Sequence, residues 1–273
     1  MRPRSSLLPR DFLIRGLLAG LIAACAAFAV AYVVGEPPLR AAIALEDTAG
    51  GLSHGPESGP GTGQDSGADE ATPASGEVEV PRSLQSTAGL LTGLLVAGVT
   101  LGGLVGLVSA VAMGRLGRLR PRASTLAVAA IGFLTVYAVP FLLYPPNPPA
   151  VGSGDTIGLR SARYAIFMAI SLIAAVTAVL GGRRLAARLG GWYAALVAVA
   201  GYLVVMGVVM VLLPQLDEVP VTFPPAILYD FRQASFLTQL TLWSVLGVAL
   251  AELVGRLAQR RATPDRALSD VAA

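Results

Sequence analysis

Six apolar segments alternate with polar segments along the chain. Each contains about 17 to 26 residues, so that as a helix it can cross the roughly 30 Å of bilayer hydrocarbon. The pattern predicts a single all-α polytopic membrane domain over residues 1–273, arranged as three helical hairpins. The predicted transmembrane helices are residues 16–34, 88–113, 125–144, 164–180, 192–213 and 236–254.

The first apolar run follows four arginines, a pattern that also begins many signal peptides. This run remains apolar through Val34, which is longer than a usual signal-peptide core. We therefore interpret residues 16–34 as an uncleaved first transmembrane helix.

A polar insert, residues 35–86, separates the first two apolar runs and contains nine acidic residues. Its central part, residues 48–80, consists mainly of Gly, Ser, Pro, Asp and Glu. Such a composition buries too little apolar surface to offset the entropy of ordering, which predicts an acidic, disordered external loop. Residues 38–46 before it are compatible with a short helix along the membrane surface.

Composition supports the membrane class and excludes several chemistries. Hydrophobic residues make up 54% of the chain and charged residues 14%, against about 25% charged in soluble domains. All twenty basic residues are arginine, which excludes a P-loop and a lysine Schiff base. The single cysteine excludes an intramolecular disulfide, and the single histidine excludes a histidine cluster within one chain. We expect neither nucleic-acid binding, enzymatic activity nor a permanently bound cofactor.

The charge distribution predicts the orientation in the membrane. Fifteen of the twenty arginines lie in four segments: the N-terminal segment, the loop between the second and third apolar runs, the loop between the fourth and fifth runs, and the C-terminal tail. The other loops contain thirteen of the seventeen acidic residues. Because arginine-rich loops remain in the cytoplasm, both termini are predicted to be cytoplasmic.

Two proline-rich loops then face outward, residues 140–163 and 214–235. We expect them to form a rigid lid, with Asn147 and Asp155 in one cavity with Asp217 or Glu218. Pro140 should bend the third helix near its outer end, because it removes a backbone donor. The prolines of the first loop are Pro140, Pro145, Pro146, Pro148 and Pro149.

Charged residues in and before the outer loops are the candidates for chemistry. The candidates for cation attraction or ligation are His54, Glu57, Asp155, Asp217, Glu218 and Asp230. Arg82, Arg163 and Arg232 are candidate gate residues, or structural partners that join the loops to helix ends. Glu252, near the inner end of the sixth helix, is either functional or paired with Arg256 one turn later.

Gly98, Gly102 and Gly106 lie four residues apart in the second helix. Small residues on one stripe allow two helices to approach closely. The stripe predicts close packing within the chain, or alternatively a docking face for another subunit.

The sequence resembles the CbtA family of probable cobalt transporter subunits. The resemblance lies in PFLLYPPNPPAVGSGDTIGLRSARY, residues 140–164, and in LPQLDEVPVTFPPAILYDFRQASFLTQLTLW, residues 213–243. It implies a multi-pass subunit in a bacterial plasma membrane that takes up Co²⁺ for cobalamin synthesis. It also implies a small single-span, histidine-bearing partner of the CbtB type. Family members often carry several histidines in the first outer loop, whereas this chain has only His54.

Three hypotheses follow for the function. The first is cobalt uptake through the proline-rich outer loops. The second is a membrane scaffold that does not transport and that docks a partner on the glycine stripe. The third is a small-anion permease whose outer arginines recognise the substrate.

Overall fold

The structure, a computed structural model, describes residues 8–53, 85–116, 119–152, 156–213 and 218–271. These residues are almost entirely helical, and no strand occurs among them. Five helices are long and apolar enough to cross a membrane. An all-helical membrane domain, as predicted from the apolar pattern, is therefore confirmed at this level.

The first helix runs far beyond the predicted membrane span. Helix α1 (Pro9–Val30) continues through a wide π-helical segment, π1 (Ala31–Gly35), into α2 (Glu36–Ser53). Residues 36–53 are thus helical, although the sequence assigned them to an external loop. Pro37 and Pro38, which carry no N–H, directly follow this wide turn, where the Glu36 N–H bonds to the Ala31 carbonyl five residues back. Of residues 48–80, for which disorder is predicted, residues 48–53 are helical and residues 54–80 lie outside the described residues.

Helix α3 (Leu90–Ala112), preceded by π2 (Gln85–Gly89), packs closely along α1. A Cβ on Gly102 would collide with the backbone of Gly16, and one on Gly98 would lie 2.8 Å from the Ala24 Cβ. The glycine stripe is therefore used inside the chain, as the close-packing interpretation predicts. It is buried and does not offer a docking face to another subunit, which corrects that part of the scaffold hypothesis.

The third apolar segment contains α4 (Pro121–Gly132), π3 (Phe133–Ala138) and α5 (Val139–Leu143). Pro140 stands two residues after π3, as Pro37 stands two residues after π1. In π3 the Val139 N–H bonds to the Leu134 carbonyl, five residues back. The next carbonyl, that of Thr135, then has no helical donor, because Pro140 carries no N–H.

Helix α6 (Ile157–Leu212) reverses direction near Gly190, where φ is 77°. Its two halves lie side by side, since the Ser171 and Tyr202 hydroxyls are 2.8 Å apart. This hairpin leaves most of its large apolar side chains exposed. It is anchored to the bundle through Leu143, Phe167 and Met206, which form a small buried cluster.

Helix α7 (Pro225–Val271) completes the bundle. It begins eleven residues before the predicted sixth span, so that residues 225–235 are helical and not part of a loop. The main core lies between α1, α3, α4 and α7. Its buried members include Phe12, Val105, Val128, Trp243, Leu246, Leu250 and Val254.

Candidate functional site

The two proline-rich loops meet at one end of the bundle, which we call the proline-loop end. Val151 of the first loop and Phe223 of the second are buried together with Ala42 of α2. Helix α2 therefore packs against both loops. Because this apolar contact joins all three segments, the polar side chains of both loops are held in one region.

An ion pair joins the loops across this junction. Arg160 Nη1, in the first turn of α6, lies 3.2 Å from Glu218 Oε2. The Glu218 side chain is 15% exposed and that of Arg160 is 29% exposed. Gly152, with φ of 99°, lies directly against this pair, and a Cβ there would lie 2.8 Å from Glu218 Oε2. The backbone of the first loop thus leaves space only for glycine beside the carboxylate.

A second polar contact fixes the first loop to α7. Arg232 Nη2 donates a 2.8 Å hydrogen bond to Asn147 Oδ1. Both residues line a cavity of about 590 Å³, together with Arg160 and Val219. The cavity therefore lies between the two loops, where their charged and amide groups converge; we call it the loop cavity.

The structure describes only some of the remaining predicted site residues. His54, Glu57, Arg82, Asp155 and Asp217 lie outside the described residues. Asp230 is exposed on the second turn of α7 and does not line the loop cavity.

The other predicted residues of the first loop and the start of α6 have distinct positions. Arg163 is half-buried, and its Nη1 has no hydrogen-bond partner in the part of the chain that the structure describes. Pro145 and Pro146 line the loop cavity, whereas Pro140 and Pro148 are buried and Pro149 is half-buried.

Glu252 lies at the opposite end of the bundle. Its Oε1 accepts a 2.8 Å hydrogen bond from Arg256 Nε, the pairing that the i, i+4 spacing predicts. Arg122 Nη2, at the start of α4, lies 3.1 Å from Oε2 of the same carboxylate. Glu252 therefore links α4 to α7 and has no direct contact with the loop cavity.

A second cavity, of about 500 Å³, lies beside the loop cavity and contains a carboxylate that the sequence interpretation did not select. This residue is Glu36, the first residue of α2, which is only 4% exposed. The sequence interpretation counted it among the acids of the external insert. A carboxylate directly after an apolar run, followed by two prolines, was the signal that could have identified it. We call this space the Glu36 cavity.

The Glu36 cavity and the loop cavity share a wall made of Tyr144, Pro146 and Tyr164. Tyr164 itself is fixed by its hydroxyl, which donates a 3.3 Å hydrogen bond to the Val136 carbonyl of π3. The two cavities are therefore neighbours, separated by side chains and not by a helix.

Over the described ranges, no three His, Cys, Asp or Glu side chains lie close enough to hold a metal ion together. What the proline-loop end offers instead is two separate carboxylates, Glu36 and Glu218, each paired with an arginine and with amide and hydroxyl oxygens nearby. A family model described as a probable cobalt transporter subunit matches residues 9–255, which is most of the chain. The chain belongs to the CbtA family. No curated protein and no solved structure matches it.

Membership of the CbtA family, whose members are described as probable cobalt transporter subunits, agrees with the membrane-length helices of this chain. A transporter subunit is not expected to be an enzyme. The matched region includes both proline-rich loops, Glu36 and the ion pair between Arg160 and Glu218.

Proposed function

We propose that this CbtA protein is the membrane subunit of a Co²⁺ uptake system that supplies cobalamin synthesis. In this proposal it spans the bacterial plasma membrane six times, with α6 contributing two spans and both termini in the cytoplasm. The arginine-rich segments support this orientation, because the parts of them that the structure describes fall at the end opposite the two loops. The exposed apolar side chains of α6 face membrane lipid.

The proposal places the entry of Co²⁺ at the loop cavity. The observation that carries it is the position of Glu218, a mostly buried carboxylate that pairs with Arg160, which itself lines the loop cavity. Arg160 neutralises this carboxylate at 3.2 Å in the absence of an ion. A cation entering between the loops competes with the guanidinium for it, so that the arginine acts as a replaceable counter-charge. Co²⁺ is the transported ion and not a resident cofactor.

Cobalt accumulation in cells that lack other cobalt importers tests this proposal. Replacing Asp217 and Glu218 together by alanine should lower accumulation of radioactive cobalt, and Glu218→Gln should do so alone. The matched control is Glu46→Ala with Asp47→Ala, which likewise removes one Glu and one adjacent Asp, but from an exposed part of α2. Equal accumulation by both double variants, at equal expression, would contradict entry at Glu218.

The system also requires a partner, since the family is named as a subunit. We propose a small single-span, histidine-bearing protein of the CbtB type, which would supply the imidazoles that this chain has only at His54. Co-purification of the two chains, and cobalt flux in vesicles only when both are present, would support this assignment.

A small-anion permease is the second candidate, and one observation favours it. Arg160, Arg163 and Arg232 all lie at the proline-loop end, and the Arg163 Nη1 is buried. Competition separates the two functions, because excess Ni²⁺ should inhibit cobalt accumulation whereas sulfate, phosphate and nitrate should not. Inhibition by an anion at constant ionic strength would favour the permease.

A further inference from the structure

The Glu36 cavity combines a buried carboxylate with side-chain oxygen atoms from π3, α6 and α7. Glu36 is 4% exposed, and its Oε1 accepts a 3.1 Å hydrogen bond from Arg40 Nε one turn later. The Arg40 side chain is itself 59% exposed and does not line the cavity. The carboxylate therefore lies between a solvent-exposed guanidinium and an interior space.

The opposite side of the cavity carries hydroxyl and amide groups. Tyr137 of π3 and Tyr164 of α6 line it, together with Ser235, Thr238 and Gln239 of α7. The Tyr137 hydroxyl is buried and has no hydrogen-bond partner among the residues that the structure describes. A buried hydroxyl without a partner costs about 1–3 kcal/mol, which indicates that another group satisfies it when the cavity is occupied.

The local backbone brings these groups together. The segments π1 and π3 contribute Ala31, Gly35 and Tyr137 to the lining, and Leu90, the residue directly after π2, completes it. Wide π-helical turns are frequent at functional sites because they redirect the side chains that follow them. Here they direct Glu36 and Tyr137 toward the same space.

We propose that Glu36 is the carboxylate that accepts a divalent cation after it leaves the loop cavity. The inference rests on the proposed cobalt uptake and deepens it by naming the second binding position. The ion would pass the shared wall of Tyr144, Pro146 and Tyr164. Glu36 would bind it, with neutral oxygens from Tyr137, Tyr164 and Gln239 completing the site.

The size and charge of the cavity determine how the ion is held. One carboxylate and a few neutral oxygens do not replace a complete hydration shell, whereas the roughly 500 Å³ of space accommodates several waters of about 30 Å³ each. The cation therefore retains part of its hydration shell, as small divalent ions commonly do in proteins. Arg40 neutralises Glu36 when no ion is present and moves into solvent when one arrives.

Direct binding of Co²⁺ to the purified full chain in lipid nanodiscs, measured by isothermal titration calorimetry, tests this site. Glu36→Gln should weaken binding by about tenfold or more, equivalent to about 1.4 kcal/mol. Arg40→Gln should tighten binding, because it removes the competing guanidinium. Glu46→Gln, an exposed carboxylate on the same helix, is the matched control and should leave binding unchanged.

Tyr137→Phe separates a ligand role from a structural one. Since the Tyr137 hydroxyl has no described hydrogen-bond partner, its removal should leave the unfolding temperature unchanged or raise it. Loss of one oxygen ligand should nevertheless weaken Co²⁺ binding by about threefold or more. This variant also keeps the proposal testable if Glu36→Gln does not fold.

The inference is overturned if the wild-type chain binds no Co²⁺, or if Glu36→Gln and Tyr137→Phe both bind it like wild type. Weaker binding in Arg40→Gln would likewise contradict the competing role of Arg40. Cobalt accumulation in cells distinguishes failure of the Glu36 site from failure of the proposed uptake function. If cells with Glu36→Gln accumulate as much cobalt as cells with the wild-type protein, Glu36 is not on the route, but the proposal of cobalt uptake still stands. Absence of accumulation in wild type with its partner refutes uptake, whatever the nanodisc result.

Discussion

The Ser171 hydroxyl donates a 2.8 Å hydrogen bond to the Thr135 carbonyl, the group that Pro140 leaves without a helical donor. The α6 hairpin is thus attached where the third segment is interrupted. Ser171→Ala should lower the free energy of unfolding by about 1 kcal/mol, because the carbonyl would remain buried and unsatisfied. Thermal unfolding in detergent measures the effect.

A double-mutant cycle with Pro140→Ala identifies the cause of that loss. Alanine at 140 restores an N–H that can bond within its own helix, so Ser171→Ala should cost less in that background. Tyr202→Phe is the control, since it removes the other partner of Ser171 and leaves the bond to Thr135 in place. An equal cost of Ser171→Ala in both backgrounds would show that Pro140 is not the reason for the bond.

Gly152→Ala should disturb the ion pair between Arg160 and Glu218. Its φ of 99° is unfavourable for alanine, at a cost of about 1–2 kcal/mol, and the added methyl group would meet both charged side chains. We expect lower stability together with lower cobalt accumulation. Gly158→Ala is the control, because it lies in α6 with open space around it and should be neutral or stabilising. Wild-type behaviour of Gly152→Ala would contradict the described loop geometry.

Gly102→Ala should separate α3 from α1, because the new Cβ would meet the Gly16 carbonyl. The expected loss of stability is about 1–3 kcal/mol, the usual cost of overpacking a close contact. Gly93→Ala, on the same helix with nothing within 4 Å, should cost nothing. Equal unfolding temperatures for the two variants would indicate that the helices are not in close contact.

The proposed orientation predicts which residues a membrane-impermeant maleimide reaches in intact cells. With Cys25 replaced by alanine, a cysteine at Glu46 or Val221 should be labelled from outside. A cysteine at Arg184, which is exposed near the turn of the α6 hairpin, should be labelled only after the cells are opened. Labelling of Arg184→Cys in intact cells would contradict six crossings with both termini in the cytoplasm.

The apolar pattern was sufficient to predict the class of the protein, because membrane-length helices leave a signal of about twenty residues each. The packing of Gly98 and Gly102 also followed from their spacing. The meeting of the two loops was predictable only as a hypothesis, since it depends on which helices are neighbours. The structure places Asn147 and Arg160 on one cavity and pairs Glu218 with Arg160. Asp155 and Asp217 lie outside the described residues, so their sharing of that cavity stays a prediction.

Other features left no periodic signal. Only residues 38–46 of the helix at residues 36–53 were predictable as helical, because the prolines at 37 and 38 are typical of a loop, whereas the structure continues one helix through them. Glu36 was consequently counted as a solvated acid. Its burial depends on the packing of π1 and α2 against α7, which is distant in sequence and makes no local pattern.

The π-helical segments affect which mutations can alter the Glu36 cavity while the helix packing stays the same. A wide turn holds one residue more than an α-helical turn, so it rotates everything beyond it by about 100°. In the first and third apolar segments, the halves before and after the wide turn therefore follow separate registers. Deleting one residue from π3 would turn Tyr137 and Phe141 away from Glu36 while α4 kept its contacts with Trp243. The lining of the cavity can thus be altered without repacking α4 against α7, although Leu143, which anchors the α6 hairpin, would turn with it.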